Sequence, residues 1–202
     1  MSIVEILGMA ASVSLLSGWR LYLCIFVTGL ALRFGIWPLP EHLHAPQVLA
    51  NPVVLGVAGG AALAEFLADK VVWIDSIWDA VHTIIRPLGG AMLALALIDP
   101  RDPSTQVIAF ILGGGASLLT HTAKAGTRAI ANTVPEPFSN VALSTGEDLT
   151  STGLLWFAYS HPASAAFVAV ALAAMAVVAI IWLRRVLRRL RRVATTLPAV
   201  TE

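Results

Sequence analysis

The chain has 202 residues, of which 57% are hydrophobic and only 12% are charged, with 13 basic and 12 acidic side chains. Its mean hydropathy of +0.81 excludes an ordinary soluble domain and predicts a polytopic membrane protein. The single cysteine, Cys24, excludes an intramolecular disulfide and a metal site built on several thiolates.

Three apolar segments are predicted in the first half of the chain. The first runs from about Ile3 to Phe34, and the second begins at Pro52 and ends near Asp69 and Lys70. The third is ambiguous, because residues 71–86 are amphipathic and only 12 apolar residues follow. It is either an interfacial helix followed by a re-entrant segment, or one long helix kinked near Pro87 with a polar stripe facing inward. We favour the single helix.

Three more segments follow in the second half. The fourth, residues 107–132, carries a polar stripe at helical spacing, formed by Ser117, His121, Lys124, Arg128 and Asn132. Lipid tails do not solvate such a stripe, so it is expected to face other helices. The fifth, Phe138 to Tyr159, is weakly hydrophobic and contains Glu147 and Asp148, whereas the sixth, Pro162 to Leu183, is uniformly apolar.

A run of arginines follows the sixth segment. It holds six of the thirteen basic residues: Arg184, Arg185, Arg188, Arg189, Arg191 and Arg192. Because the run continues an apolar helix, we interpret residues 184–202 as a basic cytoplasmic tail that contacts anionic lipid headgroups, not nucleic acid.

Two similar four-residue sequences suggest an internal repeat. The sequence SLLT at residues 117–120 resembles SLLS at residues 14–17, each inside a long apolar segment. This predicts an all-α fold of six transmembrane helices in two three-helix repeats, residues 1–98 and 104–183. An odd number of crossings per unit makes the two units inverted, and the arginine run places both termini in the cytoplasm.

Several motifs together resemble a known family. They are SGWR at residues 17–20, EFLADK at 65–70, the series Asp75, Asp79 and Arg86-Pro87, HTAKAGTRAIAN at 121–132, and GED at 146–148. In these motifs the chain resembles a bacterial family known as domain of unknown function 4126, over about residues 10–185. The resemblance implies an integral protein of the bacterial inner membrane with a repeated unit, and implies no activity.

Ionisable residues inside the predicted helices are the candidate site. Arg20 is the sharpest, because it lies far from either end of its apolar segment, where a bare charge costs at least about 2.5 kcal/mol. We expect Arg20 and Lys124 to lie close to carboxylates drawn from Glu65, Glu147 and Asp148. The full set of candidates for a substrate or ion site is Arg20, Glu65, Asp75, Asp79, His82, Arg86, His121, Lys124, Arg128, Asn140, Glu147 and Asp148.

These residues favour a small transporter or channel for a polar or ionic solute, with its site at the repeat interface. Two alternatives stay open: a membrane enzyme acting on lipid headgroups through Asp75, Asp79, His82 and the Glu147-Asp148 pair, or a non-catalytic assembly subunit whose buried charges are only ion pairs. His42 and His44 form a weak zinc signal in a loop. No cofactor motif and no nucleic-acid motif is present, and a homo-oligomer is compatible with the sequence.

Overall fold

The computed structural model of the protein describes residues 3–36, 45–98, 102–131 and 137–196. Within these ranges every regular element is helical, which confirms the predicted all-α class. The α-helices are α1 (Ile3–Arg33), α2 (Pro52–Ala68), α3 (Val72–Ala96), α4 (Pro103–Ala131), α5 (Pro137–Ser160) and α6 (Pro162–Thr196), with a short 3-10 helix at Ala45–Ala50. His42, His44 and Asn132 lie outside the described residues.

Local sequence signals account for several helix boundaries. The side chain of Asn51 caps α2 by accepting a hydrogen bond from the Val53 amide at 2.8 Å, and Pro52 occupies the first turn. At the start of α4, Asp102 accepts hydrogen bonds from the Thr105 hydroxyl and from the amides of Thr105 and Ser104, and these bonds lower the pKa of its carboxyl. Asp102 thereby satisfies amide groups that have no partner inside the helix.

Two expectations about helix extent are resolved. α3 is one continuous helix that contains Pro87, which confirms that residues 72–96 are not divided into two segments; among the described residues α3 is not one of the stretches apolar enough to cross a membrane. α6 does not end near Leu183 but continues to Thr196, so the arginine run is an extension of the last helix. Alternating arginines with good helix formers such as leucine favours this continuation.

The most consequential feature is a break inside α1. Arg20 has φ −142° and ψ 74°, which is not helical, and it divides α1 into a first arm (residues 3–19) and a second arm (residues 21–33). Ser12 and Thr28 each lie eight residues from Arg20. Ser12 donates a hydrogen bond to Ala165 O at 2.7 Å, and Thr28 donates one to the Tyr159 hydroxyl at 3.4 Å.

Both arms therefore meet the same α5–α6 junction, although a straight helix would separate Ser12 from Thr28 by about 24 Å. α3 gives the same result, because both arms approach one stretch of it: Ser14 bonds to Gly90 O, and Leu21 packs at Gly89. The chain thus turns back at Arg20, and α1 is a helical hairpin. The expected single uninterrupted helix is wrong, because the chain breaks at Arg20, a residue type that does not by itself signal a helix end.

The two similar sequences, residues 14–17 and 117–120, pack directly against each other. Ser17 donates a hydrogen bond to the Ser117 hydroxyl at 3.2 Å, and Thr120 donates one to Leu15 O at 2.6 Å. The first arm and α4 run in the same direction, because their contacts move forward along both helices together. Ser14 lies close to Gly113, and five residues later Trp19 O accepts a hydrogen bond from Lys124 Nζ. Inverted units would make these helices antiparallel, so this parallel pair does not support the expected inversion.

The turn gives the bundle two different ends. At one end, here called the charged end, lie Arg20, the α2–α3 turn at residues 69–71 and the C-terminal half of α4. Leu183 of α6 meets Gly126 there, so the arginine run emerges at the charged end. The opposite end holds the start of α1, the 3-10 helix, the end of α3 and the α5–α6 junction.

Side-chain burial is the reverse of that in a soluble protein. Large apolar residues such as Val53, Phe167 and Val170 are about 70% exposed, whereas most ionisable residues of the bundle are buried. Among the described residues, three stretches are long and apolar enough to cross a membrane, in α1, α4 and α6, but the stretch in α1, Val4–Arg33, includes the break at Arg20; the apolar part of α2 is shorter. These features suggest association with a membrane.

A buried charge network at the turn of α1

Arg20 forms ion pairs with three carboxylates: one belongs to the residue that follows α2, and two lie on α5. Its guanidinium contacts Asp69 closely, and it lies 2.8 Å from Asp148 Oδ1 and 3.2 Å from Glu147 Oε2. Arg20 is only 1% exposed, and it also donates hydrogen bonds to Ser144 O and Oγ, both at 3.1 Å. The predicted proximity of Arg20 to Glu147 and Asp148 is confirmed.

Two further bases, both from α4, share the same carboxylates. Lys124 Nζ lies 3.5 Å from both Asp69 Oδ2 and Glu147 Oε2. Arg128 lies 3.2 Å from Asp69 Oδ2 and 3.1 Å from Glu147 Oε2, with Asp75 Oδ1 at 3.7 Å. The residues in this network, called the Arg20 cluster below, are Arg20, Asp69, Asp75, Lys124, Arg128, Glu147 and Asp148.

Exposure is distributed unevenly within the Arg20 cluster. The side chains of the three bases and of Asp69 are at most 1% exposed, whereas those of Glu147 and Asp148 are 16% and 25% exposed. The most exposed side chains of the cluster are therefore carboxylates. The fixed charge is three positive against four negative.

The backbone at the turn is integrated into these contacts. Trp19 O accepts a hydrogen bond from Lys124 Nζ at 3.3 Å, and Gly18 O lies 3.4 Å from Arg86 Nη1. A Cβ at Gly18 would collide with Thr120 Oγ1 and Ser117 O, so only glycine permits this approach of α1 to α4. Bases from two helices thus supply donors to carbonyl groups beside the break.

A second network surrounds Arg86, which is 0% exposed. Its Nη2 lies 2.5 Å from Glu65 Oε1, and its Nη1 lies 3.2 Å from Asp79 Oδ1 and 2.6 Å from His121 Nδ1. Because arginine is only a donor, His121 Nδ1 accepts, and its protonated Nε2 donates to Thr83 Oγ1 at 3.1 Å. We call Glu65, Asp79, Arg86 and His121 the Arg86 cluster.

His82 belongs to neither network. Its Nδ1 lies 2.7 Å from Trp78 O, so Nδ1 carries the proton, and its Nε2 accepts from the Tyr22 hydroxyl at 3.0 Å. The His82 ring stacks on Trp78 with centroids 4.4 Å apart. These contacts fix the orientation of the imidazole and use its neutral form, so His82 has a structural role.

The sequence identified nearly all of these residues but not their grouping. Glu65 pairs with Arg86, although it was one of the carboxylates expected beside Arg20 or Lys124. Asp69 was missed as a site residue, because it follows the last turn of α2 and was interpreted as a helix end. Its position next to Lys70, in a turn flanked by Glu65 and Asp75, was the available signal. The side chain of Asn140 is outside the described part of the structure.

A cavity of about 260 Å³ adjoins the Arg20 cluster. Lys124 and Glu147 form its charged wall, and Trp19, Leu143, Met175 and Ala179 are among its apolar lining residues. Four helices, α1, α4, α5 and α6, contribute to it.

The profile of the family described as domain of unknown function DUF4126 matches residues 7–183. The chain belongs to the DUF4126 family. The DUF4126 match includes both charge clusters and the cavity between α1, α4, α5 and α6, and the family description assigns no activity. Neither the curated proteins nor the solved structures contain a match.

Proposed function

We propose that this DUF4126 protein is a small membrane transporter or channel for a polar or ionic solute, and that the Arg20 cluster is its solute site. The observation that carries the proposal is the cavity beside the cluster, where Lys124 and Glu147 form one wall. Charges buried among apolar helices are costly, and those that adjoin a cavity are typical of solute and ion pathways.

The break in α1 supports the same function. Broken helices occur at substrate sites in transporters because they bring backbone groups and helix ends to the solute. Here the break places Arg20 against three carboxylates, two of which are partly exposed. A purely structural ion-pair network does not require that its carboxylates face a cavity.

Orientation is also part of the proposal. The arginine run and Lys70 lie at the charged end, which the excess of basic residues assigns to the cytoplasm of a bacterial inner membrane. The exposed Arg184, Arg185, Arg188 and Arg189 would contact anionic headgroups there. Because α1 turns back, its first residues lie at the opposite end, so we revise the expectation that both termini are cytoplasmic.

The lipid-headgroup enzyme is less well supported. The five residues named for it are divided among three environments: Asp75, Glu147 and Asp148 belong to the Arg20 cluster, whereas Asp79 pairs with Arg86 and His82 with Tyr22. Within the described residues, no three His, Cys, Asp or Glu side chains are grouped to hold a metal ion. The acid, base and metal roles of that enzyme therefore do not converge on one site.

The test is electrical recording from proteoliposomes on a solid-supported membrane, with concentration jumps of small cations, anions and zwitterions. We expect at least one solute to give a current that empty liposomes lack and that is lost in Glu147→Gln. The proposal is wrong if no solute in any charge class gives a protein-dependent current. An assembly subunit would give that negative result while remaining folded.

A further inference from the structure

We propose that a groove between the second arm of α1, the 3-10 helix and α3 holds one phospholipid molecule, with an acyl chain in the groove and the phosphate at Arg33. The proposal rests on the association of the chain with a membrane and is independent of the solute site at the Arg20 cluster. Three features support it: the shape of the groove, its apolar lining, and an exposed arginine near its outer end.

The groove is a recess in the side of the bundle with a volume of about 400 Å³. Val48 of the 3-10 helix and Met92 of α3 line it and are 63% and 67% exposed, whereas Leu93, which also lines it, is 5% exposed. The groove therefore extends from the outer surface of the bundle to residues of the buried core.

The lining of the groove is suited to hydrocarbon. Each described residue that lines it is aliphatic, methionine or glycine, so these side chains offer no hydrogen bond to a polar solute. An unfilled recess loses van der Waals contacts on the side that faces it. Because the recess opens on an apolar surface, the acyl chain of a membrane lipid is the flexible apolar group that fills it.

The groove runs along α3 towards the end of the bundle opposite the charged end. Gly89 and Ala96 both line it, and seven helical residues correspond to about 10 Å. Ala96 is the last residue of α3, whereas Gly89 lies two turns deeper. A phospholipid whose chain lies in this groove therefore has its headgroup beyond Ala96, at the end of the bundle.

Arg33 lies at that end and beside the groove. It is the last residue of the second arm of α1, eight residues after Ile25, which lines the groove. Its Nη1 donates a hydrogen bond to Ala50 O at 3.2 Å, and the neighbouring Leu49 also lines the groove. The guanidinium is thus close to the place where the geometry of the groove puts a phosphate.

The surroundings of Arg33 favour an anionic group. Phe34 and Ile36 follow it and are 70% and 49% exposed, which is typical of the boundary between hydrocarbon and headgroups. The described acids at this end, Glu5 and Asp102, lie on the first arm and before α4, and no ion pair of the described residues involves Arg33. The exposed guanidinium therefore has N–H groups that fit a phosphate.

The experiment is photo-crosslinking of the full chain in lipid nanodiscs, with phosphatidylglycerol that carries a diazirine in the middle of one acyl chain. Adducts on Met92 are compared by mass spectrometry with those on Ile111, which is 64% exposed on α4 and does not line the groove. Gly113 packs against Ala94 and Gly90, so Ile111 lies at a similar depth to Met92. Ile111 thus reports contact with bulk lipid.

Two variants test the two parts of the site. Ala96→Phe fills the groove and should reduce the Met92 adduct by about fivefold or more, without changing the Ile111 adduct. Ala80→Phe, the same change at an exposed position of α3 outside the groove, should change neither adduct. Arg33→Gln should reduce the Met92 adduct formed by phosphatidylglycerol, but not that formed by a diacylglycerol with the same chains. Arg184→Gln, at the charged end, should leave both unchanged.

A Met92 adduct that is unchanged in Ala96→Phe overturns the proposal, because it indicates contact with bulk lipid only. An equal effect of Arg33→Gln on phosphatidylglycerol and diacylglycerol, or no effect on either, overturns the assignment of a phosphate to Arg33. If Ala96→Phe does not fold, the exposed Arg33→Gln variant decides the proposal through the comparison of the two lipids. The current recordings decide the transport proposal separately.

Discussion

The Arg20 and Arg86 clusters are two buried charge networks in one bundle, but they differ in what surrounds them. The Arg86 cluster is enclosed, with an arginine at 0% exposure held by Glu65, Asp79 and a neutral His121. The Arg20 cluster contains equally buried bases, yet its α5 carboxylates are partly exposed and Glu147 faces a cavity. Under the proposed function, the first network stabilises the fold, whereas the second also binds the solute.

The largest effect on stability is expected from Arg86→Ala. This change leaves Glu65 and Asp79 buried without their base, which typically costs about 3 to 5 kcal/mol. Thermal unfolding of the detergent-solubilised protein should show a large loss, and Arg86→Ala combined with Glu65→Gln should recover part of it. An unchanged melting temperature in the single variant would show that the Arg86 cluster does not support the fold.

Arg20→Ala should also destabilise strongly, because it leaves Asp69 buried with fewer partners and removes the contacts that hold the turn of α1. Adding Asp69→Asn should restore part of the stability, but not the solute-dependent current. This separation of stability from transport is the sharpest distinction between the clusters. Recovery of both properties in the double variant would contradict a transport role for Arg20.

Glu147→Gln should cost less stability than either arginine change, because the carboxylate is partly exposed and the amide keeps its shape. The current should nevertheless disappear, since the accessible negative charge at the cavity is lost. Asp79→Asn is the matched change in the Arg86 cluster, and we expect it to reduce stability while a current remains in the folded fraction. A current that survives Glu147→Gln would remove the distinction between the two networks.

The smallest effect is expected from the arginine run. Replacing Arg184, Arg185, Arg188 and Arg189 by Gln should leave the melting temperature and the current nearly unchanged, because these side chains are exposed beyond the bundle. The measurable change should be a lower preference for anionic over neutral lipid in nanodisc reconstitution. A large loss of melting temperature would show that the run packs on the protein.

Hydropathy and periodicity sufficed to predict the helices and their inward polar faces. The spacing of Asp75, Asp79 and Arg86 correctly placed them on the buried side of α3, and that of His121, Lys124 and Arg128 did the same for α4. These predictions succeed because a charge on a helix surrounded by lipid tails has only one favourable direction, which is towards other helices.

The turn at Arg20 could not be predicted in the same way. A run of 31 residues is compatible both with one tilted helix and with two short arms, and hydropathy does not distinguish them. The buried arginine was the relevant signal, since a charge in mid-run can mark a helix end that meets other polar groups. The partners of Glu65 and Asp69 depend on this turn, so the sequence alone could not predict which charged residues pair with each other.

The proposed solute site requires that the cavity beside the Arg20 cluster be aqueous and open to the cytoplasm, whereas the core of α3 around Ala91 should be closed to water. The most direct measurement is labelling of single cysteines with a membrane-impermeant, cationic methanethiosulfonate reagent in inside-out vesicles, in a protein carrying Cys24→Ala. Ala179→Cys, in the cavity, should react rapidly, whereas Ala91→Cys, in the buried core of α3, should remain unlabelled. Failure of Ala179→Cys to react from the cytoplasmic side, or equal reaction of both cysteines, would contradict an aqueous solute site at the Arg20 cluster.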